Sequence, residues 1–195
     1  MARPKEFDRD AALAKAVEVF WDKGYEATST DDLVRAMGIG RQSMYDTFGD
    51  KHRLYVAALE RYKDEQSATF HASLRDSRSP LSAIEAVLFG VSAERPCDRA
   101  RGCLMIGATA ELAGVDDDVA RIAKDSTHKV EASFEHAVRA AQEKKELPAG
   151  IDARAAGRFL TSTFFGLKLS AKSGASPEAL RDIARFALAG LAARP

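Results

Sequence analysis

Apolar residues recur along this chain every three or four positions, and hardly anywhere in alternation, so the pattern predicts helices and almost no strand. Leu13, Ala16, Val17, Phe20 and Trp21 fall at i, i+3, i+4, i+7 and i+8, a single face of a helix over about Arg9 to Lys23. Gly24 suits its end. The aromatics of this stripe, Trp21 included, read as core and not as ligand contacts. Leu33, Val34 and Met37 mark a second helix, opened by Ser29 and Asp32 at capping-box spacing. Gly38-Ile39-Gly40 stops it, because glycine accepts positive φ without strain. Met44 and Phe48, one turn apart, give the inward side of a short third helix over about Arg41 to Phe48.

Lys51 to about Arg75 is one long helix, with Leu54, Ala57, Ala58, Tyr62, Phe70 and Leu74 along it. Pro80 at N1 behind Ser79 opens a helix to about Ser92, with Leu81, Ile84, Val87, Leu88 and Val91 inward. Glu94 to Ala100 reads as a loop. An apolar helix follows from about Arg101 to Gly114. Asp116, Asp117 and Asp118 suit the positive end of the next helix, which runs to a basic last turn at Lys144 and Lys145. Two more helices cover about Ala153 to Ser173 and Pro177 to Ala193. The fold expected is all-α, with about nine helices.

The apolar residues of the last two helices spread too widely for one stripe. A helix apolar on more than one side is buried on more than one side. A deep monomer core would satisfy this, and so would a core face plus a two-fold dimer face. The second is preferred, with Phe165, Leu169, Ile183 and Phe186 at the interface, since most soluble oligomers are two-fold dimers. Gly157, Gly166 and Gly190 would let helices approach closely.

The helix–turn–helix over Ser29 to Lys51 offers Arg41, Gln42, Ser43, Tyr45, Asp46 and Thr47 outward. In such a motif the second helix enters the major groove, first turn foremost. Arg and Gln read base edges, while Ser, Tyr and Lys suit phosphates. The expected DNA contacts are Thr30, Arg41, Gln42, Ser43, Tyr45 and Lys51. Residues 1–8 form a short arm whose Arg3 and Lys5 are either a frayed terminus or a basic reach into DNA.

The run GIGRQSMYDTFGDKHRL, preceded by GYEATSTDDLVRAMG, resembles the N-terminal domain of the TetR/AcrR-type transcriptional regulators, from about Arg9 to Leu59. Two positions depart from the family pattern: Asp46, where a non-acidic residue is common, and Thr47, where an aromatic is common. The resemblance implies a helix-turn-helix unit over 1–52 and a larger ligand-binding and dimerisation domain over 53–195. It also implies a homodimer on double-stranded palindromic operator DNA, most often a repressor. Dimers of this type pair their last two helices as a four-helix bundle. A small-molecule effector would bind in the C-terminal part.

Composition bounds these expectations. Lys+Arg 29 against Asp+Glu 29 leaves no net charge, so bulk charge alone does not hold this protein to nucleic acid. Residues 1–55 carry 9 basic and 10 acidic side chains, so positive groups must cluster on one face. Two cysteines, Cys97 and Cys103, with no signal peptide suggest a reduced, cytoplasmic protein. No apolar run approaches the ~18 residues of a membrane span.

Candidate chemistry is sparse. His52, His71, His128 and His136 show no metal-ligand spacing, and no phosphate-binding loop follows a strand. No metal, cofactor or catalytic group is expected. Phe89, Cys103, Met105, Phe134 and Phe164 are expected to line a mostly apolar effector pocket. Cys103, in RGCLMIG near a helix start, reads as a small buried hydrophobe, a pocket contact or a reactive thiol. The GCL pattern also resembles the corresponding helix of electrophile-sensing members of the family. A helical interaction protein, or a small all-α enzyme using Cys103 or His128, with a vestigial DNA-binding module, are the alternatives.

Overall fold

The structure, a computed structural model, describes residues 7–75 and 78–192. Arg3 and Lys5 of the basic arm, and part of the break expected after Arg75, lie outside the described residues. Among the described residues ten helices follow in order: α1 (Arg9–Lys23), α2 (Thr30–Met37), α3 (Arg41–Phe48), α4 (Lys51–Arg75), α5 (Pro80–Ala93), α6 (Pro96–Arg101), α7 (Leu104–Leu112), α8 (Asp117–Glu143), α9 (Ala153–Lys172) and α10 (Pro177–Ala192). Among the described residues there is no strand.

Helix starts are capped as the sequence requires. Asp8, Ser29, Ser79, Asp116 and Asp152 each accept backbone N–H groups of the helix they open. Two expectations change. The stretch expected as a loop after Glu94 contains α6, set by Pro96 at its first turn and held by Arg95 on Asp98 at 2.7 Å. Six residues are too few to show an apolar period. The helix α8 stops at Glu143, so Lys144 and Lys145 lie beyond its last turn, and Lys144 Nζ donates to the Arg78 carbonyl at 2.6 Å.

Two hydrophobic clusters form the interior. The first joins Leu13, Phe20, Leu33, Met44, Phe48, Leu54, Tyr55 and Leu59 to Leu104, Leu112, Val119 and Ile122. The three N-terminal helices therefore share a core with α7 and the start of α8. The second cluster joins Leu74, Ile84 and Leu88 to Phe134, Val138, Leu160, Leu167, Leu180 and Ala184. The helices α4 and α8 enter both, so each end of the molecule is tied to the other by two rigid rods. Their partner α9 presses closely on α8. A Cβ on Gly157 would stand 3.0 Å from both Glu131 O and Glu135 N, backbone atoms that cannot swing away.

Along α9 and α10 a stripe remains outside. Leu169 is 55% exposed, Ile183 42% and Phe186 84%, with Phe159 beside them at 48%. No helix among the described residues is long and apolar enough to cross a membrane.

Candidate DNA-reading surface and effector cavity

The turn between α2 and α3 is built locally. Ser29 and Asp32 complete the capping box in both directions, and Gly38 takes the left-handed conformation, φ 71° and ψ 30°, that ends α2. Lys23 pairs with Asp32 at 2.8 Å. That contact, with the Ser29 bonds, holds the Asp32 carboxyl far below the usual carboxylate range. Met44 and Phe48 are buried, which turns Arg41, Gln42, Tyr45 and Asp46 outward.

The outward side chains are not free. Arg41 Nη2 meets Asp31 Oδ1 at 2.5 Å, which ties the start of α3 to the first turn of α2 beside Thr30. Gln42 Nε2 donates to Asp46 Oδ1 at 2.8 Å. Ser43 is half-buried and Tyr45 is 40% exposed. Lys51 holds its ammonium 4.3 Å over the Tyr25 ring, a cation–π contact that places it at the foot of α4.

Behind this surface lies a cavity of about 690 Å³ between α4, α7, α8 and α9, a volume suited to a drug-sized ligand. Phe70, Met105, Ile106, Val130, Phe164 and Phe165 supply apolar wall. Charged groups at its edge are already paired: Lys63 with Glu60 and Asp125, and Lys168 with Glu94. At one end Tyr62 donates to Cys103 Sγ at 3.5 Å. Burial, then the neighbouring thiol, pushes the Tyr62 phenol up, so it stays a donor.

The cavity wall continues into the N-terminal helices. Trp21 Nε1–H donates to Gly102 O at 3.0 Å, and Arg101 Nη2–H to Glu18 O at 3.0 Å. Arg101 also meets Glu18 Oε2 and Asp22 Oδ1 at 2.7 Å each, the Asp22 contact an ion pair outside hydrogen-bond angles. At the other end of α7, Glu111 accepts the Tyr25 and Glu26 N–H groups at 3.0 and 2.8 Å.

A family profile described as bacterial regulatory proteins, tetR family, matches residues 12–58, and one described as tetracyclin repressor-like, C-terminal domain, matches residues 80–187. The chain belongs to the TetR family. YezE of Bacillus subtilis (strain 168), an uncharacterized HTH-type transcriptional regulator, is 35% identical over 93% of this chain and 95% of its own length. The HTH-type transcriptional repressor ComR of Escherichia coli (strain K12) is 36% identical over 93% of this chain and 88% of its own. A solved structure of a cysteine-substituted TetR-family regulator CifR, complexed with 26-bp double-strand operator DNA, is 27% identical, with a TM-score of 0.81 over 97% of this chain and 100% of that one. Reduced NemR of Escherichia coli shares the fold, with a TM-score of 0.84 at 20% identity over 96% and 98% of the two chains. This TetR-family chain is thus a transcriptional regulator, and its relatives are regulators, not enzymes.

Of the residues expected to line a pocket in this TetR-family fold, Cys103, Met105 and Phe164 do line the cavity. Phe89 and Phe134 do not. Phe134 is fully buried in the second core, its ring 5.2 Å from Phe70, one layer behind the wall. Phe89 packs against that same core. Trp21, expected as core, is a wall residue, as are Tyr62, Gln66 and Thr109. No sequence signal separates these from core residues. Phe165 is half-buried and lines the cavity, as does Leu169 of the exposed stripe. His52, 64 residues before Asp116 in sequence, and the neighbouring acids Asp116 and Asp118 bring ligand atoms within 4.8 Å of one another. The contact there is His52 Nε2 to Asp116 Oδ2 at 2.7 Å, which joins the start of α4 to the cap of α8.

Proposed function

We propose that this regulator is a dimeric repressor that binds a palindromic operator and is released by a small, mostly apolar molecule held in the α4–α7–α8–α9 cavity. Residues 1–52 are the DNA-binding unit, with Thr30, Arg41, Gln42, Ser43, Tyr45 and Lys51 toward DNA. Residues 53–195 bind the effector and dimerise through Phe165, Leu169, Ile183 and Phe186. The similarity to the repressor ComR and to operator-bound CifR supports the DNA-bound, repressing role. The exposed apolar stripe on α9 and α10 supports the dimer. Two recognition helices would then stand about 34–36 Å apart, for half-sites one turn apart.

One observation carries the effector reading: the helix that walls the cavity also grips the DNA-binding unit. Cys103 and Met105 of the α7 region face the cavity, while Gly102 and Glu111, flanking them, bond to Trp21, Tyr25 and Glu26. A ligand that moves α7 therefore moves α1 and α2 with it. It shifts the equilibrium only as far as it binds the DNA-incompetent arrangement better.

Selection of bound fragments from genomic DNA at two salt concentrations tests the DNA role; a palindromic consensus with a steep salt slope is expected. Phe186→Glu tests the dimer. In a monomer Phe186 is 84% exposed and the change would leave sedimentation unaltered. In the proposed dimer it buries an unpaired charge, and the variant should sediment as a monomer that binds the operator weakly.

A further inference from the structure

We propose that the cavity takes uncharged aromatic molecules, and that the Lys168–Glu94 ion pair is the filter that turns away their carboxylate and ammonium counterparts. The inference rests on the cavity being the effector site.

Five charged residues line the cavity, and each already has an opposite charge beside it. Lys63 pairs with Glu60 and, at 3.0 Å, with Asp125. Asp98 accepts from Arg95 at 2.7 and 3.0 Å. Arg101 meets Glu18 and Asp22 at 2.7 Å each. The partners of these three lie outside the cavity wall. Lys168 and Glu94 differ, because both line the cavity. Their side chains are 20% and 26% exposed, and they come from α9 and from the residue that ends α5. Arg99 is no substitute counter-ion for Glu94. It does not line the cavity, and its Nη1 donates to the Ser92 and Glu94 carbonyls.

An ion entering such a space loses its hydration and finds no free opposite charge. A carboxylate can reach Lys168 only by displacing Glu94, which is then left half-buried and unpaired; an ammonium does the reverse. A neutral molecule leaves the pair intact. Its hydrogen-bonding groups can be met without charge by Gln66 and Ser67, which line the cavity and bond to no other residue among the described residues.

The ring class follows from the wall. Trp21 and Tyr62 meet edge to face at 4.9 Å, and Phe70 lies 5.3 Å from Phe164. An aromatic ligand continues these edge and offset contacts. The Lys168 ammonium stands 5.8 Å from the centre of the Phe164 ring, one turn back along α9. A ring packed on Phe164 therefore brings its substituent to the ion pair.

The test uses one ring system with three heads: biphenylmethanol, biphenylcarboxylate and biphenylmethylammonium, at neutral pH. Binding to the full-length protein is measured by equilibrium dialysis. Quenching of Trp21, the only tryptophan of the chain and part of the cavity wall, locates it. The alcohol should bind at least about tenfold more tightly than either ion. Glu94→Gln frees the lysine and should improve the carboxylate alone by about tenfold. Lys168→Gln frees the glutamate and should improve the ammonium alone by a similar factor. The double variant Glu94→Lys with Lys168→Glu remakes the pair in reverse and should again prefer the alcohol. Circular dichroism confirms each fold. A merely structural pair would shift all three ligands together.

Equal binding of an ion and the alcohol overturns the inference, as do single variants that leave the order of the three unchanged. So does failure of all three to bind at millimolar concentration. Each of these results leaves the effector reading standing. Binding that does not alter Trp21 emission lies outside the cavity, and that outcome overturns the effector reading and this inference with it.

Discussion

The guanidinium of Arg101 lies over the Trp21 ring, 4.1 Å from its centre, while the carbonyl of the next residue, Gly102, accepts the Trp21 indole N–H. The junction between α6 and α7 is thereby clamped twice to the end of α1. The ion pairs to Glu18 and Asp22 add little, since both acids are more than half exposed. Arg101→Ala should lower the unfolding free energy by about 1–2 kcal/mol, read from urea denaturation. Arg101→Lys should recover less than half of this, because lysine lacks the planar face. An Arg101→Ala protein as stable as the parent would show the clamp to be idle.

Asp32 gives a pH prediction with a definite sign. Its carboxyl is depressed, first by Lys23 and then by Ser29, so its contribution is fully present above the ordinary carboxylate range. That contribution is lost only as pH falls through the lower, folded-state value. In a carboxyl-carbon NMR titration Asp32 should remain ionised after exposed aspartates have protonated. Lys23→Ala should raise its midpoint toward the ordinary value of about 3.9.

Gly157 and Gly166 separate two kinds of close packing. At Gly157 an added methyl meets the α8 backbone at 3.0 Å, so Gly157→Ala should destabilise by about 1–3 kcal/mol. At Gly166 an added methyl meets nothing within the protomer. Gly166→Ala should therefore stabilise a monomer by about 0.5–1 kcal/mol. If a partner helix lies across this face, the same change should instead raise the dimer dissociation constant, which sedimentation at graded concentration would show.

Cys103 can report on the cavity from a Cys97→Ser background, since Cys97 is exposed and would label first. Half-buried at the cavity wall, Cys103 should react with a small maleimide in the folded protein, more slowly than Cys97 does. A bound effector should protect it. A thiol that labels only on unfolding would remove Cys103 from the ligand site.

Tyr55 is fully buried in the first core, and among the described residues its hydroxyl has no hydrogen-bond partner. Burial pushes its phenol up, so it stays neutral. Tyr55→Phe keeps the ring contacts with Phe20 and Tyr25 and removes the orphaned group. The variant should be as stable as the parent or more so, by up to about 1 kcal/mol in urea denaturation. A clear loss of stability would mean that the hydroxyl has a partner in solution.

The helix-turn-helix was legible from sequence because everything that shapes it is local. Ser29 caps three residues ahead, Gly38 turns one position after Met37, and Met44 and Phe48 choose the inward side of α3 by their spacing alone. The same short-range logic marked α4, α5 and the two last helices, and it left an apolar stripe unaccounted for that the fold does leave exposed. It failed at α6, where six residues carry no period. Tertiary structure alone decided the cavity. Trp21 and Gly102 are 81 residues apart, and only packing brings the indole to that carbonyl. Phe134 and Phe164 are chemically the same and both sit on apolar helical faces, yet one fills the core and the other faces the void. Which side of a buried helix meets a neighbour and which meets a gap depends on how four helices cross, and that is not written at any single position. Likewise the bonds that seat Gln42 against Asp46 and Arg41 against Asp31 depend on rotamers chosen in the folded surface, where chain spacing permits them but does not require them.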